Sequence, residues 1–514
     1  MENEIAIAVR EKGLLLDRSV LELLNSFGNS RHAVGFLESL EKVSGHRMIT
    51  KNLLINNVEF VKSIVGKLPG EEKEGIEKTF VKLGISLEIR KEREVLSKEP
   101  VQMDYQIFYS NTSPDKKIEV RDFVGHFRAR YETLRGILLQ RTELQSNLVG
   151  INKISNERQS LSIIGIVTEK RVTKNKNLMV KFEDLTGEIV GVVRQDSEAF
   201  SLAEELQLDD VVGVKASGNS EMLFIHDILY PDSFKQEKVK FDEDCWAVFL
   251  SDLHCGSRKH LGKEFEKFLK WLNEKGEIQN KIRYMFFIGD NVDGVGIFPG
   301  QEGELALKSM EEQYSLVAKY LRQIPKHVVM FMCPGQHDAV RVAEPQPLIS
   351  RRYAESLYGI ENLNLVTNPC MVKLIERNKE FKVLMYHGAS LHGLINEIPE
   401  LREMKAHGCP AKAVRHMLKR RHLAPSHSDV IYIPNAEKDG LVILEVPDVL
   451  CTGEVHKLDV DNYNGVLIVT GSCWQSQTLF EEKVGNLPDP CKVALLNLKT
   501  RELKILDFSG GEDE

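Results

Sequence analysis

The sequence has 514 residues, of which 42% are hydrophobic and 28% are charged, and its formal net charge is −8. This length predicts about three domains with ordinary buried cores, no apolar run reaches the roughly 18 residues of a membrane-spanning helix, and the negative charge argues against a protein that wraps nucleic acid along its whole surface. Eight scattered cysteines without a Cys-x-x-Cys pair argue against a zinc finger or a disulfide framework, so we expect a cytoplasmic protein.

The first 150 residues divide into three predicted parts. Residues 1–66 have apolar side chains at helical spacing, including a third segment over Asn52–Val65, and are predicted to form a helical N-terminal domain. Residues 67–117 are rich in Lys and Glu and are predicted to be a charged linker. Residues 118–150 are predicted to be a connecting helix. Its apolar stripe, which we expect to face a core, consists of Phe123, Phe127, Tyr131, Leu134 and Leu138.

The segment Gln102–Tyr109, with the sequence QMDYQIFY, has two interpretations. It nearly matches the sliding-clamp peptide Q-x-x-h-x-x-a-a, with Tyr105 in place of the usual aliphatic residue. It is also typical of a β-strand. The strand is the favoured interpretation because short motifs often match by chance.

Residues 155–235 change from helical to strand periodicity. Five short β-rich runs are separated by turn residues, and one helical piece interrupts them. This pattern predicts an OB-fold β-barrel. Since the barrel lacks an obvious aromatic and basic face, a structural role is favoured over binding of single strands.

Residues 244–508 are predicted to form an α/β domain in which apolar strands alternate with helices. A polar cluster follows each of five strands, the position at which α/β sheets carry their chemistry. The clusters are Ser251–His254, Gly289–Asp293, Gly335–Asp338, His387–Gly388 and Gly453–His456. Each cluster is a weak signal alone, but five in order predict a metal site. Two cations about 3.5–4 Å apart need a bridging carboxylate and further N or O ligands, and they can lower the pKa of a bound water for hydrolysis.

These clusters resemble the calcineurin-like metallophosphoesterase signature D-x-H, G-D-x-x-D, G-N-H-D, H and G-H-x-H. The resemblance implies a sandwich of two sheets flanked by helices and two divalent metal ions. The first metal would be held by Asp252, His254, Asp290 and His456. The second would be held by Asp290, Gln336, His387 and Glu454. His337 would be the acid near the leaving group, and Asp338 would orient it.

Two positions depart from that signature, and both fall on the second metal. Gln336 stands where the family has Asn, and Glu454 stands where it has His. Glu454 makes the ligand set richer in oxygen, which favours Mn²⁺ or Mg²⁺ over Zn²⁺. We therefore expect Mn²⁺, with Mg²⁺ or another transition metal as alternatives, and a second site that is weaker or differently selective.

Over roughly residues 104–506 the chain is also similar to the small subunits of archaeal family D DNA polymerases. The segments that carry this resemblance include DFVGHFRARYETLRGIL, SDLHCGS, MLKRRHLAPSHS and GSCWQSQTLFEEKVGNLPDPCKV. It implies a metal-dependent 3′–5′ exodeoxyribonuclease that acts on DNA 3′ ends and a scaffold for a large catalytic polymerase subunit.

Two other functions stay open at this point. The first is a catalytically inactive scaffold of the kind found in eukaryotic replicative polymerases, because Gln336 and Glu454 alter the second metal. The other, less favoured, is a free-standing phosphatase. The basic run Lys419–His422 could grip DNA, but a solvated face or a subunit contact is the favoured interpretation.

Overall fold

The computed structural model describes residues 9, 14–27, 29–44, 48–50, 53–54, 61, 64–65, 76, 79, 103–110, 117–145, 147–484 and 486–510. The chain divides into two compact units, Met1–Pro100 and Val101–Glu514. No helix within the described ranges is both long and apolar enough to span a bilayer.

In the first unit, the described residues include two helices and a small parallel sheet. Its elements are β1 (Leu15–Leu16), helices Arg18–Asn25 and Ser30–Ser44, and β2 (Met48–Ile49). Asp17 caps the first helix by accepting a hydrogen bond from the Val20 amide at 2.8 Å. Phe27 and Phe36 pack in its core with ring centroids 5.3 Å apart. The predicted helical segment Asn52–Val65 lies largely outside the described residues.

Five strands of the second unit close into a barrel, in the order β4-β5-β6-β8-β7. They are β4 (Gln159–Val172), β5 (Leu178–Asp184), β6 (Gly187–Val193), β7 (Val211–Gly218) and β8 (Leu223–Leu229). All neighbouring pairs are antiparallel except β6 and β8. Alternate side chains such as Val180 and Phe182 are buried inside the barrel. Helix Phe200–Glu204 lies between β6 and β7, so the strand number and the intervening helix agree with the pattern in the sequence.

Two six-stranded mixed sheets form the rest of the second unit. The first has the order β12-β11-β10-β9-β18-β19 and the second the order β16-β17-β15-β14-β13-β3. The first sheet consists of β9 (Trp246–Leu250), β10 (Ile282–Ile288), β11 (Val329–Cys333), β12 (Leu363–Leu365), β18 (Lys492–Asn497) and β19 (Leu503–Asp507). The second consists of β3 (Met103–Tyr109), β13 (Cys370–Glu376), β14 (Lys379–Met385), β15 (Val449–Thr452), β16 (Asp459–Tyr463) and β17 (Val466–Thr470).

The two sheets enclose one apolar core and carry helices on their outer faces. Phe249 and Phe286 of the first sheet and Val372 and Val383 of the second belong to the same buried cluster. The helices that pack on the first sheet are Gly262–Leu272, Met310–Leu321 and Arg351–Tyr358. Those on the second are Leu391–Glu397, Pro399–Glu403 and Ala411–Arg420. The remaining short helices are Thr142–Gln145 and Leu479–Val484. The unit therefore has a multidomain α/β architecture.

The predicted linker 67–117 contains a strand of the second sheet. β3 pairs antiparallel with β13 along its whole length, from Tyr109 opposite Cys370 to Met103 opposite Glu376. The strand interpretation of this segment is therefore correct, although Gln102 lies outside the described residues. The linker prediction was wrong over 103–109 because alternate side chains of the strand enter the core between the sheets. The Tyr105 ring, for example, packs edge-on 5.1 Å from Phe331.

The predicted apolar stripe of the connecting helix is buried only in its second half. Within helix Val120–Leu138, Tyr131, Leu134 and Leu138 are buried, whereas Phe123 is 40% exposed. The first half instead turns His126 and Arg130 inward. These two side chains meet the buried carboxylate of Asp439 and, through it, His422. We call Arg130, His126, His422 and Asp439 the junction cluster.

The basic run Lys419–His422 is neither a solvated face nor an exposed DNA contact. Arg420, Arg421 and His422 are buried. Arg420 donates to Asp210 of the barrel at 2.9 Å, so the favoured surface interpretation was wrong. The reason is that a charged side chain can be buried when a partner from another domain pairs with it.

Candidate metal centre

The five polar clusters converge because each follows a strand whose carboxyl end points to the same edge. β9, β10 and β11 are parallel neighbours in the first sheet, and β14 and β15 are parallel neighbours in the second. Asp252, Asp290 and Gln336 follow the first three strands, and His387 and Glu454 follow the other two. The rigid sheets thus bring five loops to one place.

Most of the expected metal ligands have a left-handed backbone, which non-glycine residues rarely adopt. The φ angles lie between 45° and 70° at Asp252, His254, Asp290, Glu454 and His456. Such conformations cost about 1–3 kcal/mol each and persist only where the surroundings fix them. Here hydrogen bonds to a neighbouring loop fix the backbone. The Asp252 amide donates to the Gly289 carbonyl at 3.1 Å, and the His254 amide donates to the Asp290 carbonyl at 3.0 Å.

Two motif glycines are required by the close approach of ligand side chains. Gly289 has a φ of +74°, and a Cβ at this position would lie 2.2 Å from Nδ1 of His387. A Cβ at Gly335 would lie 2.2 Å from Oδ1 of Asp290. Any larger residue at either position would displace a side chain of the site.

Asp252, His254 and His456 form what we call the first half-site. Their ligand atoms lie within 4.8 Å of one another. The two Nε2 atoms of His254 and His456 are 3.0 Å apart, and His456 Nε2 is 3.5 Å from Asp252 Oδ1. Each imidazole is held from behind by a carboxylate, Asp293 at 3.2 Å for His254 and Glu481 at 2.8 Å for His456. This support leaves both Nε2 atoms directed at one point, as in metal-binding histidines.

Asp290, Gln336, His387 and Glu454 form what we call the second half-site. Nε2 of His387 lies 3.3 Å from Asp290 Oδ2 and 3.0 Å from Glu454 Oε2. Burial opposes the charged form of Asp290, but His387 and His337 outweigh it and the pKa of Asp290 is lowered. Burial likewise opposes the charged form of His387, yet Asp290 raises its pKa well above the ordinary value. Asp290 also lies 3.9 Å from His254 Nε2, between the two half-sites.

The donor set fits divalent cations. Four buried polar atoms of the expected ligands make no hydrogen bond to any residue that the structure describes: Asp252 Oδ2, Gln336 Oε1, His387 Nε2 and Glu454 Oε2. His387 and Glu454 come within 3.0 Å without a hydrogen-bonding geometry. A buried polar group without a partner costs about 1–3 kcal/mol. Carboxylate, amide and imidazole atoms that converge in this way suit Mn²⁺, Mg²⁺ or a related ion.

His337 lies at the mouth of the site, with about a fifth of its side chain exposed. Its Nδ1 donates to the Asp293 carbonyl at 2.6 Å, so Nε2 is left facing the centre, 3.9 Å from Asp290 Oδ2. Asp338 was expected to orient His337, but Asp293 does so. Asp338 is turned away because it accepts hydrogen bonds from the Tyr314 hydroxyl and from the amides of Asn291 and Gly335. Burial and the charge of Asp290 raise the pKa of Asp338 to about 6.

Three supporting carboxylates were not identified from the sequence. Asp293 ends the G-D-x-x-D motif, so its position was a usable signal. Glu481 lies 25 residues after His456, and no pattern linked them. Glu344 accepts from Gln336 Nε2 at 3.3 Å and from the Tyr386 hydroxyl at 3.0 Å, and burial raises its pKa to about 7.

Comparison with known proteins places the chain among polymerase subunits. The family model for the B-subunits of DNA polymerases alpha and epsilon matches residues 247–459. The DNA polymerase II small subunit of Archaeoglobus fulgidus is 37% identical over 384 residues, which are 73% of this chain and 75% of that protein. That of Pyrococcus furiosus is 36% identical over 406 residues, or 77% of this chain, and the match spans only 65% of that protein's own length.

A solved structure of a novel archaeal phosphodiesterase is also similar, at 13% identity. It covers 51% of this chain and 98% of its own, with a TM-score of 0.25, which is too low to support an argument about the fold.

Proposed function

Because the chain belongs to the family of DNA polymerase II small subunits, we propose that it is the small subunit of a heteromeric archaeal DNA polymerase and that its metal centre is a 3′–5′ exonuclease. The convergence of four buried ligand atoms that make no hydrogen bond to a described residue supports the second part of this proposal. The substrate would be a DNA 3′ end, and the partner a large catalytic polymerase subunit.

The proposed ligands divide between two divalent cations, with Mn²⁺ as the expected ion. The first would be held by Asp252, His254, Asp290 and His456, and the second by Asp290, Gln336, His387 and Glu454. When bound, such a pair supplies a water of lowered pKa and neutralises charge on the phosphate.

His337 is the proposed acid. Its Nδ1 proton is committed to the Asp293 carbonyl, so a second proton can only be held at Nε2, which faces the centre. Burial opposes this charge, but Asp290 and the Asp293 carbonyl outweigh it and raise the pKa of His337. The side chain is therefore placed to carry a proton at Nε2 and donate it to the leaving oxygen.

We also propose the domain assignment that the sequence predicted: an OB-fold at 155–235 and a calcineurin-like phosphoesterase at 244–508, with β3 as an added edge strand. Arg420 supports a structural role for the barrel. Besides Asp210, it donates to the Glu205 carbonyl, which fixes the barrel to the sandwich.

A scaffold role has its own supporting observation. Val120, Phe123 and Val124 at the start of the connecting helix are 81%, 40% and 50% exposed, and Ile431 is 68% exposed. The Phe123 ring contacts Tyr432, the next residue after Ile431, at 6.0 Å. Exposed apolar side chains in contact with one another mark interaction surfaces. We propose this surface as a contact for the large subunit, a role that does not depend on the metals.

The exonuclease proposal is tested with the co-expressed complex and a 3′-labelled oligonucleotide in Mn²⁺. We expect the parent to shorten the strand and His337→Ala to do so at least about a hundredfold more slowly, the range for loss of a positioned acid. Equal degradation would remove the acid role of His337. No degradation by either complex would leave the inactive scaffold as the better function.

The scaffold surface is tested separately by size exclusion of the pair. Val124→Asp should release the large subunit, whereas Val172→Asp, at a barrel residue that is 67% exposed, should not. Co-elution of both variants with the partner would contradict the assignment.

A further inference from the structure

A short apolar loop stands beside the metal centre, immediately after the motif that supplies Asp290. Val295, Ile297 and Phe298 are 42%, 41% and 37% exposed. They follow Asp293 and Gly294, which are buried. A surface this apolar next to a charged site has no role in holding metal.

The base of the loop is fixed to the carbonyl that orients His337. Gln301, fully buried, donates from Nε2 to the Asp293 carbonyl at 2.8 Å and accepts at Oε1 from the Ile297 amide at 2.9 Å. Gln313 brackets Gly294 with hydrogen bonds to both its amide and its carbonyl. A Cβ on Gly294 would lie 2.6 Å from the His337 carbonyl oxygen. The exposed side chains are therefore held at a set position relative to His337.

This inference rests on the proposed exonuclease function, whose chemistry identifies the part of the DNA that lies beside His337. A water molecule loses one proton to solvent as its oxygen forms a bond to phosphorus, the bond from phosphorus to the 3′ oxygen of the penultimate nucleotide breaks, and His337 Nε2 gives its proton to that oxygen. The terminal nucleotide leaves with the phosphate. The group beside His337 is then the penultimate nucleotide, not the released one.

We propose that Val295, Ile297 and Phe298 bind the base and sugar of the penultimate nucleotide. Apolar and aromatic side chains bind nucleobase faces without sequence preference. A base whose face rests on Phe298 is not stacked in a duplex, so the loop selects strand ends that are unpaired over at least two nucleotides.

The test uses the full chain with Mn²⁺ and the double variant Ile297→Ala with Phe298→Ala. Its matched control is Phe234→Ala, at a phenylalanine that is 63% exposed and lies outside the five polar clusters. We expect the KM for (dT)10 to rise about tenfold in the double variant, with a much smaller loss of kcat/KM on methyl p-nitrophenyl phosphate, which has no nucleobase. Equal losses on both substrates would mean that the loop only supports His337, and an unchanged KM would overturn the proposal.

Binding of fluorescein-labelled (dT)10 reads the same contact without hydrolysis. A Kd about tenfold weaker in the double variant than in the parent and the control supports the loop even if the parent cleaves neither substrate. In that case, the absence of cleavage would reject the exonuclease function, and the weaker Kd would still support the binding surface. An unchanged Kd rejects the loop whether or not DNA is cleaved.

Discussion

Two buried clusters of histidine and aspartate lie in the second unit, and they differ in how their charged groups are paired. In the junction cluster, Asp439 accepts from Arg130 at 2.7 Å and from His422 at 2.9 Å. His422 in turn accepts the Ala424 amide at its Nδ1. In the metal centre, the imidazole Nε2 atoms of His254 and His456 face each other.

The difference separates a structural cluster from a proposed metal site of similar composition. The junction cluster supplies its own cation, the Arg130 guanidinium, and none of its four residues has a positive φ. In the candidate metal centre, no described arginine or lysine forms an ion pair with Asp252, Asp290 or Glu454, and most of the expected ligands have a left-handed backbone. Histidine and aspartate content alone is therefore a poor guide to metal sites. The partners of the side chains and the conformation of the backbone distinguish the two clusters.

Substituting asparagine for an aspartate in each cluster should have opposite effects on activity and stability. Asp252→Asn should reduce exonuclease activity about a thousandfold, since losing an ion that stabilises several kcal/mol of transition-state charge has an effect of that order. Metal-free stability should change little, because asparagine keeps the Oδ1 atom that accepts from the Glu454 amide, and Asp252 Oδ2 has no hydrogen bond to a described residue. Oligonucleotide cleavage and urea unfolding measure the two effects. A large loss of stability with activity retained would make the metal centre structural.

Asp439→Asn should show the reverse. It leaves the Arg130 guanidinium buried without its carboxylate, and breaking a buried ion pair costs about 3–5 kcal/mol. Urea unfolding should show that loss, while Mn²⁺ affinity, measured by titration calorimetry under conditions where the variant is folded, stays at the parental value. Weaker metal binding would show that the clusters are coupled.

Removing the carboxylate that supports His456 in the first half-site should have a smaller effect. Glu481→Gln removes the carboxylate that holds His456 Nδ1 and should weaken Mn²⁺ binding about 10–100-fold at one of two sites. The control is Glu482→Gln at the neighbouring exposed carboxylate. Equal affinities for both variants would show that the Glu481 carboxylate does not support metal binding.

The second half-site should respond by changing its preference. Gln336→Asn with Glu454→His restores the family pattern and replaces an anionic oxygen ligand by a neutral nitrogen. We expect the ratio of Zn²⁺ to Mn²⁺ affinity to rise about tenfold, as softer ligands favour Zn²⁺. Competition titration measures this ratio. An unchanged ratio and cleavage rate would place neither residue at a metal.

The smallest effect concerns pH and the junction cluster. Burial and Arg130 lower the pKa of His422 to about 4, against about 6.5 in an unfolded chain. Between these values the unfolded chain binds a proton that the folded chain does not, so stability falls as the pH falls below about 6.5. The loss from pH 7 to 6 should be about 0.7 kcal/mol, and His422→Asn should flatten that slope in urea unfolding. The same slope in both proteins would assign the effect to other histidines.

The sequence predicted the convergence of the ligands because each motif is local, a strand followed by a polar turn, and parallel strands bring such turns together. It could not predict contacts between distant segments. Arg420 looked like a surface residue because its partner Asp210 is 210 residues away. Asp338 was misassigned because motif spacing says nothing about which way a side chain turns within its loop.

The pairing of β3 with β13 sets an order of folding during synthesis of the chain. Tyr109 lies opposite Cys370, and a ribosome adding about 5–20 residues per second needs about 10–50 s to make the intervening chain. All five strands of the barrel are complete well before that, and they pair with one another in a closed sheet. The barrel can therefore fold on the ribosome while β3 waits for its partner. The sandwich, with its long-range strand contacts, closes last and slowly.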